Sequence, residues 1–136
     1  MVNKPLRRIL HVEDEPDIRE IVRLTLEGLG GFIVESSHSG KEALRVISDF
    51  DPDLIMLDVM MPELDGPATM IEIRRLEEFK HTPIVFMTAK AQVHEIDCFL
   101  NLGAVDVVIK PFDPSTLSDQ INDIWERATA RTVSGA

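Results

Sequence analysis

The stretch LIMLDVMMPELDG, residues 54–66, contains the pattern that decides the fold. Four apolar residues lead directly into Asp58, and a loop with a proline and the turn pair Asp65-Gly66 follows. A short, continuous apolar run of this kind predicts a strand that is covered on both faces. Asp58 is therefore either an ordinary turn residue after a buried strand or part of a chemical site.

Strand patterns and helix patterns alternate along the whole chain and form five β-α units. Strict alternation predicts a parallel sheet with helices on both of its faces. The predicted strands are 9–12, 32–34, 54–57, 84–87 and 105–109. The predicted helices run from Pro16 to Leu29, from Ser39 or Gly40 to the residues before Asp51, from Pro67 to about Phe79, from Ala91 to Leu102 and from Leu117 to Ala128.

The composition restricts the class of protein. With 136 residues, of which 44% are apolar, the chain has the size and the core of one domain. Its net charge of −10 disfavours direct binding to nucleic acid or to an anionic membrane surface. A single cysteine forms no internal disulfide, which is typical of a cytoplasmic protein. We find no signal peptide, and no apolar run approaches the roughly 20 residues of a transmembrane helix.

Polar residues follow four of the predicted strands at their carboxyl ends. Glu13 and Asp14 follow the first strand, Asp58 the third, Thr88 the fourth and Lys110 the fifth. In open α/β sheets, ligands bind outside the carboxyl ends of the strands. The positions of these residues therefore indicate a common site at one edge of the sheet.

Each of these residues also has an ordinary role when it is taken alone. Asp14 can cap the first helix, which has Pro16 in its first turn, and Thr88 can cap the fourth helix. Asp58 can be a turn residue, and Lys110 can be a solvated surface charge. Their occurrence together at one sheet edge, in compatible roles, favours the common site.

The chemistry of this set depends on whether the first and third strands are neighbours. Adjacent strands lie about 4.8 Å apart, so Glu13, Asp14 and Asp58 would then crowd together and repel one another. A hard divalent cation such as Mg²⁺ relieves that repulsion. Asp58 could then act as a nucleophile towards a phosphoryl group, while Lys110 and Thr88 contact the phosphoryl oxygens.

Four motifs resemble the receiver domain of two-component response regulators. They are VEDE at 12–15, LDVMMPELDG at 57–66, MTAK at 87–90 and KPF at 110–112. The resemblance covers about residues 8–127 and implies a flavodoxin-like, doubly wound (βα)5 fold with a five-stranded parallel sheet in the order 2-1-3-4-5. We expect a receiver domain over residues 1–129 and a short C-terminal tail over residues 130–136.

The resemblance also implies the roles of the site residues. Asp58 would accept a phosphoryl group from a sensor histidine kinase or a histidine phosphotransfer protein, and Thr88 and Lys110 would contact the phosphoryl oxygens. Because the product is the modified protein itself, the resemblance implies a signalling domain and not an enzyme. The implied ligands of the Mg²⁺ cofactor are Glu13, Asp14, Asp58 and the backbone carbonyl of Met60.

Other implied features concern the output. The face of the fourth helix, fifth strand and fifth helix would contact a downstream protein target, in a monomer or a weak homodimer, and the Lys110-Pro111 bond would be cis. Glu13 stands where the family commonly has aspartate, a change that retains the charge. Val107 stands where many members have an aromatic residue that moves on activation. Valine is stiff, so we expect the loop after Thr88 to carry the signal.

Three other functions deserve comparison. A Mg²⁺-dependent phosphohydrolase with an aspartate nucleophile commonly has a second acid two residues later, where this chain has Met60. A flavin-binding protein would need a phosphate-binding loop after the first strand, where the acidic residues 13–15 have the wrong charge. An interaction module that is independent of phosphorylation would not need an intact site. No zinc-binding spacing is present among His11, His38, His81 and His94.

Overall fold

The computed structural model describes residues 4–89 and 92–134. Within these ranges, five parallel strands form one sheet in the order β2-β1-β3-β4-β5, which confirms the predicted fold class and strand order. The strands are β1 (Arg8–Val12), β2 (Ile33–Ser37), β3 (Leu54–Asp58), β4 (Ile84–Thr88) and β5 (Asp106–Ile109).

Helices cover both faces of the sheet, as the alternating pattern predicted. One face packs against α1 and α5, and the other packs against α2, α3 and α4. In the described part of the chain, no helix is long and apolar enough to cross a membrane. The helices are α1 (Pro16–Gly28), α2 (Gly40–Phe50), α3 (Gly66–Arg74), α4 (Val93–Leu102) and α5 (Leu117–Ser134), with a short 3-10 helix at Glu77–Phe79.

The strand β3 shows why a continuous apolar run predicted a doubly covered sheet. Leu54 and Met56 belong to the core beneath α1 and α5. Ile55 and Leu57 belong to the core beneath α2, α3 and α4. Because successive side chains of a strand point to opposite faces, both sets are buried only when both faces are covered. β3 lies at the centre of the sheet, where helices cover both faces.

The strand β2 differs from its prediction. It was predicted over 32–34 as an apolar run, but it extends over Ile33–Ser37 and includes the polar residues Glu35, Ser36 and Ser37. It lies at one edge of the sheet and pairs with β1 alone. Four of its five residues keep some exposure to solvent. An edge strand of this kind tolerates polar side chains that a fully buried central strand excludes.

The helix α3 is shorter than predicted. It ends at Arg74, and Leu76 has the extended backbone angles φ −83° and ψ 120° before the 3-10 helix that ends at Phe79. Arg74 Nη1 donates hydrogen bonds to the carbonyl oxygens of Phe79 (2.9 Å) and Thr82 (2.6 Å). These bonds hold the segment that follows α3, and Phe79 in this segment is buried in the core.

Two boundaries differ at the C-terminal half of the chain. The helix α4 was predicted from Ala91 but begins at Val93, and Ala91 lies outside the described residues. The helix α5 continues to Ser134, into the segment that was predicted as a tail from residue 130. Apolar periodicity ends at Ala128, but a helix can continue with backbone hydrogen bonds after its core contacts end.

Candidate functional site

The predicted site residues lie at one edge of the sheet, where the carboxyl ends of the strands meet. Asp58 is the last residue of β3 and Thr88 is the last residue of β4, whereas Glu13 follows β1 and Lys110 follows β5. The strand β3 lies between β1 and β4, so Asp58 is central. A pocket of about 350 Å³ opens here, which we call the acidic pocket. It is lined by Glu15, Ile18, Asp58, Met60, Thr88, Ala89 and Lys110.

Three carboxylates converge beside this pocket. Glu13, Asp14 and Asp58 each offer one oxygen, and these oxygens all lie within 4.8 Å of one another. Glu13 is fully buried, Asp58 is 5% exposed and Asp14 is half-buried. Carboxylates at this separation repel one another, and their hard oxygen atoms are the donors that Mg²⁺ prefers. The cluster therefore fits a divalent cation. Its three carboxylates are the ones that the sequence predicted to crowd together.

Lys110 extends from the end of β5 and contacts two of the three carboxylates. Its Nζ lies 2.8 Å from Glu13 Oε1 and 2.8 Å from Asp58 Oδ1. Burial alone would lower the pKa of Lys110, but its hydrogen bonds to Asp58 and Glu13 and the charges of these residues raise that pKa instead. The ammonium group therefore stays charged and balances part of the negative charge of the cluster.

The carboxyl groups of Glu13 and Asp58 are less stable in their charged form than carboxyl groups in water. Burial raises the pKa of Glu13 and of Asp58, although the hydrogen bonds from Lys110 act in the opposite direction. The charge of Asp58 further raises the pKa of Glu13, and the charge of Asp14 further raises the pKa of Asp58. The protein alone does not compensate the cluster fully, so the site favours an additional positive charge.

The turn between β1 and α1 shows that Asp14 does not cap the helix. The N-cap residue of α1 is Glu15, and no side chain forms a capping hydrogen bond there. The capping role considered for Asp14 is therefore wrong, and its carboxylate belongs to the acidic cluster. Asp65, in contrast, is the N-cap residue of α3, because its Oδ1 accepts a hydrogen bond from Ala68 N at 2.9 Å.

The loop after β3 packs closely against the backbone of Asp58. Val59 N donates to Met87 O at 3.0 Å, and Gly66 N donates to Val59 O at 2.9 Å. A Cβ atom at Gly66 would lie 2.6 Å from the carbonyl oxygen of Asp58. Because a backbone atom cannot move aside easily, glycine at position 66 lets the loop approach and hold the end of β3.

The remaining motif residues have distinct surroundings. Met60 is 64% exposed and lines the pocket. Val107 is buried, and its Cα pairs with that of Phe86 in the neighbouring strand. The Lys110-Pro111 peptide bond is cis, as the resemblance implied. Lys90, the last residue of the MTAK motif, lies outside the residues that the structure describes.

No sequence pattern predicted the part that Arg19 takes in this site. Its side chain is half-buried, and Nη1 donates a hydrogen bond to Glu13 O at 2.8 Å and a longer one to Asp14 O at 3.4 Å. Side chains on a helix point towards its N-terminus. An arginine four residues after the N-cap Glu15 can therefore reach the turn before the helix, and this spacing was the signal from which the contact could have been predicted.

An apolar groove of about 380 Å³ adjoins the site and was also not predicted. Ile21 of α1 lines this groove, and 47% of the residue is exposed to solvent. The groove and the acidic pocket share three lining residues, so the two are continuous. The groove is lined by Ile18, Ile21, Ala89, Lys110, Pro111, Phe112 and Pro114.

Comparisons with known proteins agree with this geometry. The family model described as the response regulator receiver domain matches residues 9–122. A probable transcriptional regulator ycf27 of Cyanidium caldarium is 41% identical over 131 residues, which are 96% of this chain and 51% of that protein. The response regulator SaeR of Staphylococcus aureus is 38% identical over 122 residues, which are 90% of this chain and 52% of SaeR. The chain thus spans about half the length of these curated relatives.

A solved structure supports the same assignment. The chemotaxis protein CheY4 of Vibrio cholerae aligns with a TM-score of 0.81 and 30% identity, covering 88% of this chain and 98% of that chain. The family match covers β2 to β5 and all of β1 except Arg8, and therefore the carboxyl end of every strand that contributes to the acidic pocket. Sequence, strand order and the position of the pocket lead to one conclusion: this chain belongs to the receiver domain family of two-component response regulators.

Proposed function

We propose that Asp58 is the phosphoacceptor of this receiver domain and takes its phosphoryl group from a phosphohistidine of a sensor histidine kinase or a histidine phosphotransfer protein. One observation carries the proposal. The carboxylate of Asp58 lies within 4.8 Å of carboxylate oxygens of Glu13 and Asp14, and Lys110 Nζ lies 2.8 Å from it. Receiver domains are signalling domains and not classical enzymes, and the proposed product is the phosphorylated protein.

The proposed transfer is a direct displacement at phosphorus. An oxygen of Asp58 forms a bond to the phosphorus atom while the P–N bond to the donor imidazole breaks. The imidazole leaves with the electron pair of that bond and takes up a proton from solvent, and Asp58 becomes an acyl phosphate. Lys110 and the hydroxyl of Thr88 contact the phosphoryl oxygens, because phosphoryl transfer depends mainly on positioning and on neutralising charge.

The proposed cofactor is Mg²⁺, held by Glu13, Asp14, Asp58 and the backbone carbonyl of Met60. When it is bound, the ion would neutralise charge on the carboxylates and on the incoming phosphoryl oxygens. The glutamate at position 13 supports this arrangement, since its longer side chain still brings an oxygen into the cluster.

The apolar groove beside the site supports a protein as the donor. It extends from the acidic pocket along the start of α1 and the residues after β5, and Ile21 is half exposed there. A donor protein that buries apolar side chains in this groove would bring its phosphohistidine towards Asp58. A small phosphodonor needs only the acidic pocket.

The proposed output surface consists of α4, β5 and α5 and would contact a downstream protein target. All ten residues of α4 are described, and none of them is fully buried, whereas α1, α2 and α3 each bury at least three. Val93 is 76% exposed, Leu100 is 40% exposed and Ile109 of β5 is 43% exposed. A helix with so few buried contacts is displaced at low cost, and it presents apolar surface to a partner.

Phosphorylation should change the loop after Thr88 together with α4. Val107 has too few torsions to carry the signal. Phe86 lies two residues before Thr88, and its ring meets that of Phe99 in α4 at a centroid distance of 5.2 Å, edge to face. We expect amide hydrogen exchange in α4 to change when a phosphoryl mimic such as beryllium fluoride binds with Mg²⁺. Unchanged exchange in α4 and in the loop before it would contradict this route.

The cellular setting of the function remains a prediction from composition. The net charge of −10 disfavours direct binding to nucleic acid and to anionic membranes. The single cysteine favours a cytoplasmic location. A monomer or a weak homodimer is the oligomeric state that we propose.

The decisive experiment treats the chain with acetyl phosphate, either with Mg²⁺ or with a chelator, and measures the mass of the intact protein and of its peptides. We expect one added phosphoryl group, at Asp58, only when Mg²⁺ is present. Labelling that needs no divalent cation, or that maps to another residue, would contradict the proposal. Repeated turnover of a phosphomonoester would instead favour the phosphohydrolase.

A further inference from the structure

We propose that Arg19 is a positioning residue for the acidic cluster. Its guanidinium group holds the backbone of the turn between β1 and α1, so that the carboxylates of Glu13 and Asp14 converge with that of Asp58 on one cation. This inference rests on the proposed function, because it concerns the same cation site. It assigns a role to a residue outside the set of proposed cation ligands and phosphoryl contacts.

The geometry places one guanidinium group on two consecutive peptide units. Arg19 Nη1 lies 2.8 Å from the carbonyl oxygen of Glu13 and 3.4 Å from that of Asp14. The backbone of Arg19 is fixed in α1, since its N–H donates to Glu15 O at 3.0 Å. The helix therefore anchors the two residues whose side chains contribute to the cluster.

The turn between β1 and α1 needs the hydrogen bonds from Arg19 because it lacks the side-chain N-cap that usually holds the start of a helix. No side chain caps the N-terminus of α1 at Glu15. Glu13 N donates to Ser37 O at 3.0 Å, and Glu15 N donates to Glu13 Oε2 at 3.3 Å. The second of these bonds uses a carboxylate that a cation would also use. Arg19 contacts carbonyl oxygens only, so its hold on the turn can persist when the carboxylates bind a cation.

The electrostatics of the cluster make the anchor necessary. Repulsion among Glu13, Asp14 and Asp58 tends to move the turn away from β3. Lys110 opposes this movement from the side of the carboxylates, and Arg19 opposes it from the side of the backbone. Hydrogen bonds from a charged donor are roughly twice as strong as those from a neutral donor. A lysine at position 19 would keep the charge but lose the planar guanidinium group, which can donate several hydrogen bonds.

The test compares Arg19→Lys with the wild type and with the matched control Arg23→Lys. Arg23 is on the same helix but forms ion pairs with Glu20 and Glu27 on the surface. Isothermal titration with Mg²⁺ should show a dissociation constant that is roughly tenfold higher for Arg19→Lys, the loss typical of residues that orient metal ligands. The control should bind as the wild type does.

A second measurement reports on the turn itself. Amide hydrogen exchange of residues 13–15, in the folded, cation-free protein, should be faster in Arg19→Lys and unchanged in Arg23→Lys. Faster exchange confined to this turn distinguishes lost positioning from a general loss of stability, which would speed exchange throughout the sheet.

The outcomes separate this inference from the proposed function. If Arg19→Lys binds Mg²⁺ and exchanges its amides as the wild type does, the inference is wrong although the wild type is still phosphorylated. If Arg19→Lys loses affinity but the wild type takes up no phosphoryl group, the inference stands and the proposed function fails. A wild type that binds no Mg²⁺ would overturn both.

Discussion

An Asp58→Asn variant should take up no phosphoryl group from acetyl phosphate, under conditions that label the wild type fully. The amide that replaces the carboxylate is a poor nucleophile and cannot form an acyl phosphate. The fold should persist, since the two side chains have nearly the same shape. Burial raises the pKa of Asp58, so the neutral amide removes a charge that burial disfavours. The measurement is the intact mass after exposure to the donor with Mg²⁺.

The matched control is Asp65→Asn, the same substitution in the loop that follows β3. Asp65 is exposed and caps α3 through its Oδ1, and asparagine is an equally good N-cap residue. This variant should therefore be labelled as the wild type is. Labelling that persists in Asp58→Asn, or that disappears in both variants, would refute the assignment of Asp58 as the acceptor.

The parts of the fold and site that sequence could predict depend on local pattern. β3 was predictable because every one of its side chains is buried and its apolar run is unbroken. The acidic cluster was predictable once the strand order was implied, because parallel strands bring Glu13, Asp14 and Asp58 to the same edge. Both features follow from the backbone, and neither depends on a particular side-chain conformation.

The features that sequence could not predict depend on contacts between distant parts of the chain. Glu35 in β2 looks unlike a strand residue until the strand is known to lie at the edge of the sheet. Lys110 was expected to meet a phosphoryl oxygen, and its contact with Glu13, 97 residues away, emerged only from the folded structure. Arg19 could have been a surface arginine, and only the path of the turn brings two carbonyl groups to it.

Replacing His11 with valine should remove a large part of the acid sensitivity of this protein. His11 is a fully buried residue of β1, and within the described chain neither of its ring nitrogens has a hydrogen-bond partner. Burial, with smaller effects from the charges of Lys110 and Arg19, lowers the pKa of His11 from 6.5 to about 3. The folded protein therefore keeps this side chain neutral at a pH where the unfolded chain protonates it.

The sign and the size of the effect follow from this difference in pKa. The contribution of neutral His11 is complete above the unfolded pKa of about 6.5 and is lost as the pH falls towards the folded value of about 3. In this range, each unit by which the pH falls lowers the free energy of unfolding by about 1.4 kcal/mol. At pH 5 the wild type should thus have lost about 2 kcal/mol through His11 alone.

Urea unfolding at pH 7.5 and at pH 5 measures this loss for the wild type, for His11→Val and for the control His81→Val. The drop in free energy between the two pH values should be about 2 kcal/mol smaller for His11→Val. His81 is exposed in the folded protein, so its replacement should leave the wild-type drop unchanged. Asp53, whose pKa is lowered because its hydrogen bonds from Lys4, Arg8 and Arg7 outweigh the effect of burial, loses its contribution only at lower pH. Parallel losses in wild type and His11→Val would mean that the folded protein binds the proton on His11, and the buried imidazole would then have an acceptor that stabilises its charge.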